Sequence, residues 1–269
     1  MASTGKVADM ATTEMRVSAL YRYPVKSMQG EGLDAATIGP VGIIGDRQWG
    51  LVDLDTGLML TARREPQLLF ARARLDEAAK SVRIELPDGT VTADDAALSS
   101  WLGRPIELRR ADPEFAANYE IALTDESDDV GDTAPWAQWT GPRGSFHDST
   151  QTQVSLVAEG SMRGWDVRRF RPNVVVTGED GSEEGFVGGH VRIGSATFDV
   201  RKQIDRCVMT TRPQPPSDLS GAIERDLGVL KTINAERATF LAIGMLVAET
   251  GTITLGDRVD AVASSPATP

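Results

Sequence analysis

Short apolar runs rich in Val, Ile, Leu and Thr, broken at intervals by Gly, Pro and Asp, recur along the whole chain. Runs of that length, bounded by turn-forming residues, predict many strands and few helices. Residues 17–23, 48–53, 69–75 and 82–86 read as strands in the first half. Residues 154–158, 173–177, 191–193, 196–200, 204–209, 238–247 and 251–253 do so in the second. Leu86-Pro87-Asp88-Gly89-Thr90-Val91 sets a Pro-Asp-Gly turn between two apolar runs and predicts a hairpin, because proline pre-sets one dihedral and glycine accepts a positive φ. Residues 94–102 open on acidic side chains, place Ala97, Leu98, Trp101 and Leu102 on one helical face and stop at Gly103, so a short helix is expected there. Residues 218–227 read as a second helix. Residues 111–144, rich in Asp, Pro, Trp and Gly without a sustained period, are expected to form an irregular connection. The pattern is that of a mainly β protein, β-rich α+β with few short helices, for which a barrel is preferred over two packed sheets.

The 269 residues suffice to bury a real core. Asp and Glu outnumber Lys and Arg by 39 to 28, and the formal net charge of -11 opposes attraction to nucleic acid or acidic lipid, so neither is expected as a partner. Clustered arginines are more informative for that reason, since they must hold an anion against a repelling field. Residues 1–15 are small and polar, without the apolar run of a secretory signal, and 263–269 read as a second loose tail. No stretch approaches the roughly 20 apolar residues of a membrane span. The single cysteine forms no internal disulfide, and a cytoplasmic, monomeric chain is expected.

Cys207 lies in Asp205-Arg206-Cys207-Val208-Met209-Thr210-Thr211, at the end of an expected strand and among cationic neighbours. Adjacent positive charge favours a thiolate, the soft ligand that a molybdenum or copper centre prefers. The plainer alternative is a small buried hydrophobe. Tyr23-Pro24-Val25-Lys26-Ser27-Met28 ends an expected edge strand at its proline and leaves Lys26 and Ser27 in a loop, suited to a phosphate or an electron-rich ring, or simply solvated. Arg47, in Gly45-Asp46-Arg47-Gln48-Trp49, and Arg63 and Arg64, in Thr61-Ala62-Arg63-Arg64-Glu65-Pro66, sit near turns, and Phe170-Arg171-Pro172-Asn173 adds Arg171 and Asn173. Guanidinium forks match phosphates and an Asn amide both donates to and accepts from a heterocycle; surface ion pairs are the alternative. His147 and His190 are the only histidines, and no zinc, di-iron, hydrolase, P-loop or dinucleotide motif occurs, so catalysis would rest on a cofactor.

Taken in order, Tyr-Pro-Val-Lys-Ser, Gly-Asp-Arg-x-Trp, Thr-Ala-Arg-x-Glu-Pro, Phe-Arg-Pro-Asn and Arg-Cys-x-x-Thr-Thr resemble the signature of MOSC-domain proteins with an N-terminal MOSC β-barrel domain. The chain most resembles their amidoxime-reducing subgroup, which has mitochondrial and bacterial members. The resemblance implies an N-terminal barrel-like domain over 16–110, a connection over 111–144 and an MOSC barrel over 145–262. It implies a molybdenum cofactor, molybdenum bound to molybdopterin, with Cys207 as metal ligand and catalytic residue. Lys26, Ser27, Arg47, Arg63, Thr152, Arg171 and Asn173 would surround the pterin and its phosphate. The implied activity is reduction of N-hydroxylated compounds such as amidoximes, hydroxamic acids and N-hydroxylated bases, with Asp205 and Arg206 as nearby candidates for proton supply. The sequence holds no ferredoxin-type cysteine spacing, so electrons would come from a separate ferredoxin, flavodoxin or cytochrome b5-like protein. Two other readings stay open: a cofactor carrier or sulfur-transfer module without turnover, and a metal-free β-barrel interaction protein.

Overall fold

The structure is a computed structural model that describes residues 14–78, 80–122, 135–218 and 220–262. The expected tails lie outside these residues except for Glu14 and Met15. Those two are tied down: the Met15 carbonyl accepts from Val259 N at 3.0 Å, and Glu14 pairs with Arg258.

The chain is mainly β, as its period predicts. The first half supplies β1 (Val17–Arg22), β2 (Glu31–Leu33), β3 (Ala35–Gly39), β4 (Gly42–Ile43), β5 (Trp49–Asp53), β6 (Arg72–Asp76), β7 (Ser81–Glu85), β8 (Val91–Thr92), helix α1 (Asp95–Leu102) and β9 (Ile106–Arg110). Then come β10 (Ala116–Ala122), β11 (Trp136–Arg143), β12 (Val154–Ala158), β13 (Val174–Val176), β14 (His190–Ile193) and β15 (Ala196–Asp205). Helix α2 (Leu227–Arg237), β16 (Phe240–Glu249), β17 (Gly251–Thr254) and β18 (Val259–Val262) complete the order. No described helix is long and apolar enough to cross a membrane.

Eight strands form one sheet in the order β18-β14-β15-β16-β12-β13-β1-β2, antiparallel except between β12 and β13. Alternation along β15 turns Ala196, Phe198 and Val200 inward. They meet Leu20, Leu156, Val174, Ile243 and Met245 of the same sheet, and Ile38, Ile43 and Ile253 of the β17-β3-β4 sheet, in one core. A second core gathers Val25, Met28, Leu51, Leu68, Leu69, Ile84, Leu98 and Ile106 from the first half. The loop after β1 thus leaves the first core and enters the second. Met209, after β15, packs on the second core from the other direction. Helix α1 is stopped where the sequence places its caps: Asp94 accepts from Ala97 N at 3.0 Å, and Gly103 takes a φ of 69°.

Four expectations are corrected. In the expected irregular connection the described residues, 111–122 and 135–144, are not simply irregular, because β10 and β11 pair antiparallel, while 123–134 lie outside the described residues. Gly141 and Pro142 inside β11 and a register shift between Ala116 and Asn118 hide the alternation. The expected strands 196–200 and 204–209 are one bulged strand, β15, that ends at Asp205. Val208–Thr211 turn into a 3-10 helix with Cys207 at its N-cap, and the apolar Val208 and Met209 mimic a strand because packing buries the first and half-buries the second. The second helix begins at Leu227, where Asp226 accepts from Gly228 N at 2.8 Å, rather than spanning 218–227. Finally, Pro24 follows β1, but β1 is flanked by β13 and β2 and is no edge. Phe198 is fully buried at the centre of the large sheet, so Phe198→Ala is expected to cost about 3–5 kcal/mol of stability, measured by urea unfolding.

Candidate functional site

A cavity of about 610 Å³ is walled by the loop after β1, the 61–63 turn, the β10–β11 hairpin, the loop before β12, the turn before β13 and the segment that follows β15. Lys26, Ser27, Arg47, Arg63, Thr152, Arg171, Asn173 and Cys207 all line it. Eight residues spread over 182 positions of the sequence (207 minus 26, both ends counted) are therefore brought to one place.

Three of them, Ser27, Arg47 and Arg171, have φ of 69°, 49° and 52°, the left-handed region that side chains other than glycine rarely adopt. Such conformations cost on the order of 1–3 kcal/mol each and persist where surrounding structure over-determines them. Here the determinants are visible. Arg47 N donates to Tyr23 O at 2.7 Å, and Phe146 N donates to Arg47 O at 2.7 Å. Asp46, buried below, pairs with the Arg47 guanidinium and accepts from Tyr23 N at 2.7 Å. The Tyr23 ring carries both cations, with the Arg171 Cζ 4.3 Å and the Arg47 Cζ 4.9 Å from its centroid. Burial raises the Tyr23 phenol, which stays neutral.

Lys26 and Asp148 form the next contact. The lysine side chain is 4% exposed and donates to Phe146 O at 2.9 Å, whereas its ion-pair partner Asp148 is 85% exposed to the cavity. Burial pulls the Lys26 ammonium below its ordinary value while Asp148 pulls it back. Against the desolvation imposed by the surrounding cavity walls, Lys26 and Arg47 hold the Asp148 carboxyl well below the usual carboxylate range. Ser27 Oγ accepts from Ala62 N at 2.9 Å, so its own O–H is left to donate. Thr152 sits where a Cβ on Gly244 would collide with its hydroxyl. Asn173, only 2% exposed, has its amide committed: Oδ1 accepts from Ser155 N at 3.2 Å and from Arg47 Nη1 at 3.4 Å, and Nδ2 donates to Tyr21 O at 3.3 Å. Through these bonds it braces the wall that it also lines.

Cys207 is a free, half-buried thiol. The residues sharing its cavity are Lys26, Arg47, Arg63, Arg169, Arg171, Lys202 and Arg206 against Glu120, Asp148 and Asp205. Asp205 is taken up by Lys202 at 3.0 Å. Arg171 and Arg206 have no carboxylate in ion-pair range among the described residues, and burial lowers both guanidiniums to about 10. A fold that buries positive charge without a counter-charge leaves a deficit that an anion removes. The wall therefore suits a ligand that is anionic and that offers a soft centre to sulfur. Among the described residues no group of three or more His, Cys, Asp and Glu side chains could hold a metal ion.

Tyr23, Asp46, Arg169, Tyr119 and Trp139 were not singled out from the sequence. Tyr23 and Asp46 sit inside two quoted motifs, and that adjacency was the available signal. Nothing in the sequence pattern pointed to the hairpin residues.

The fold is thus β-rich, with a cationic cavity and one free thiol in its wall. Residues 14–131 match the MOSC N-terminal beta barrel domain and residues 143–260 match the MOSC domain, and the chain belongs to the MOSC-domain proteins that carry this N-terminal barrel. It is 24% identical over 250 residues to a molybdenum cofactor sulfurase of Danio rerio, covering 73% of this chain and 29% of that protein. It is 25% identical over 222 residues to mitochondrial amidoxime reducing component 2 of Bos taurus, covering 72% of this chain and 66% of that one. Among solved structures it is similar to the YUAD protein from Bacillus subtilis, at 12% identity and a TM-score of 0.41, covering 92% of this chain and 94% of that one.

His147, 4% exposed behind Lys26, has its imidazole pushed down to about 4 by burial and then by Arg47. The unfolded chain takes up a proton as pH falls through about 6.5 and the folded chain does not until about 4, so stability is lost across that window as pH falls. The contribution is on the order of 3 kcal/mol. His147→Gln, which keeps a donor for the Val41 carbonyl, is expected to flatten the slope of unfolding free energy between those pH values; an unchanged slope would place its source elsewhere.

Proposed function

We propose that this chain is a molybdenum-cofactor protein that reduces N-hydroxylated compounds, with the cofactor in the cavity and Cys207 as its metal ligand. The observation that carries the reading is the meeting of a free thiol with two half-buried guanidiniums that lack carboxylate partners among the described residues. The name of one relative, a molybdenum cofactor sulfurase, supports the choice of cofactor, and that of another, mitochondrial amidoxime reducing component 2, supports the choice of reaction.

On this reading Lys26, Arg47, Arg63 and Arg171 hold the phosphate and the electron-rich ring system by charge and by donated N–H groups. Ser27 and Thr152 contribute hydroxyls, and Asn173 keeps Arg47 and the Tyr21 strand in place. When bound, molybdenum supplies the two-electron chemistry that no side chain here provides. The substrate's N–O bond breaks; two electrons and two protons enter, and the amine or amidine and water leave. Reducing equivalents come from a separate carrier of the ferredoxin, flavodoxin or cytochrome b5 class, and the protein works as a cytoplasmic monomer. The chain's own part is to anchor the cofactor, to keep the wall cationic and to limit solvent entry.

A second reading, a carrier or sulfur-transfer module, is favoured by the sulfurase relative and by the same thiol. Protein from a molybdenum-replete host separates the two. The reductase retains near-stoichiometric molybdenum and consumes benzamidoxime with an artificial electron donor, whereas a carrier retains metal without turnover. Loss of metal from native protein sinks both. Cys207→Ala is expected to abolish turnover in folded protein. Arg47→Gln, which removes one charge-assisted contact, should weaken cofactor retention about 10- to 100-fold, read as molybdenum per chain after dialysis.

A further inference from the structure

Arg206 precedes Cys207 in the chain and is held more rigidly than a surface arginine. Its backbone N–H donates to Thr239 O at 2.8 Å, its Nε to Leu241 O at 2.8 Å and its Nη1 to Phe170 O at 3.1 Å. The guanidinium lies over the Phe170 ring with Cζ 5.6 Å from the centroid. The stretch that presents two of those carbonyls is distorted: Ala238, Thr239 and Ala242 have φ of 47°, 75° and 78°, and the β15–β16 register shifts between Gln203 and Asp205. Strain of this kind is retained only where the neighbouring structure enforces it. Its result is a guanidinium fixed in the cavity wall one residue from the thiol.

That guanidinium is nevertheless incomplete. Nη2 is buried without a hydrogen-bond acceptor, and no carboxylate pairs with the side chain among the described residues. Three other cations of the wall have carboxylate partners: Lys26 has Asp148, Arg47 has Asp46 and Lys202 has Asp205. A buried N–H left unpaired costs on the order of 1–3 kcal/mol, more on a charged group. The fold therefore carries both a missing acceptor and a missing negative charge at the corner beside Cys207.

We propose that Arg206 forms an oxygen-binding subsite beside Cys207, where the uncompensated charge of its guanidinium draws an anionic or strongly accepting oxygen of the substrate to the cavity wall. The identity of that ligand rests on the reductase reading; the subsite itself does not. An N-hydroxylated substrate carries such an oxygen on the nitrogen to be reduced. A guanidinium at this corner orients that oxygen toward the reacting centre. Charge-assisted hydrogen bonds of this type are about twice as strong as neutral ones.

Cys207 is the only cysteine of the chain, so alkylation reports on this corner alone. In full-length protein from a host that cannot make the pterin cofactor, the rates of modification by iodoacetate and by iodoacetamide are compared. Both reagents need the thiolate equally, so their ratio isolates attraction for a carboxylate. Native protein is expected to favour iodoacetate relative to a free thiol such as glutathione. Arg206→Gln is expected to lower the ratio about ten-fold, with Arg206→Lys, which keeps the charge, falling between. A native ratio no higher than that of glutathione, or an unchanged ratio in either folded variant, overturns the subsite. In cofactor-loaded protein, Arg206→Gln should raise the KM for benzamidoxime at unchanged molybdenum content. If native protein retains molybdenum but fails to turn over, the reductase reading falls and the alkylation ratio still decides the subsite.

Discussion

Positive charge buried without matching negative charge is the constraint from which this site follows. An isolated buried cation is expensive, and the usual remedy is a carboxylate partner. The chain has carboxylates in excess, yet Arg171 and Arg206 are given carbonyls and ring faces instead: Met28 O at 2.6 Å and Tyr23 for the first, Leu241 O, Phe170 O and Phe170 for the second. Carbonyl dipoles hold a guanidinium in place without cancelling its charge. The cavity stays ready for an anion.

Supplying those carbonyls requires loops in unusual conformations, and the two cores make such loops tolerable. The large sheet clamps the start of the loop after β1, and the second core clamps Val25 and Met28 at its middle, so Ser27 is held at positive φ from both sides. The same logic applies after β15, where the sheet holds the chain up to Asp205 and the second core takes Met209, with Cys207 between. Ser27 is thus strained, and Cys207 is held in extended backbone, between anchored neighbours. The cost is carried by packing elsewhere.

Much of the fold was legible because it rests on period. β12 coincides with its expected run, and α1 carries its signals in Asp94 and Gly103. The parts that were not legible depend on contacts remote in sequence. Met209 looks like a strand residue until the second core half-covers it, and β11 hides its alternation behind Gly141, where the Tyr119 ring lies close. The candidate site was legible as a set of residues, since its motifs fall in order and meet in one cavity. Their division of labour was not. Asn173 bonds to Ser155, Arg47 and Tyr21, and Arg206, adjacent to the cysteine in sequence, stands out by the acceptor that its Nη2 lacks.

The proposed account comes down to whether the Cys207 sulfur and a molybdenum atom are bonded, and X-ray absorption at the molybdenum edge reads that bond directly. Native protein should show one more sulfur neighbour around the metal than a Cys207→Ser variant that retains the cofactor through the cationic wall. The same sulfur count in both proteins, or native protein with no molybdenum to measure, would contradict it.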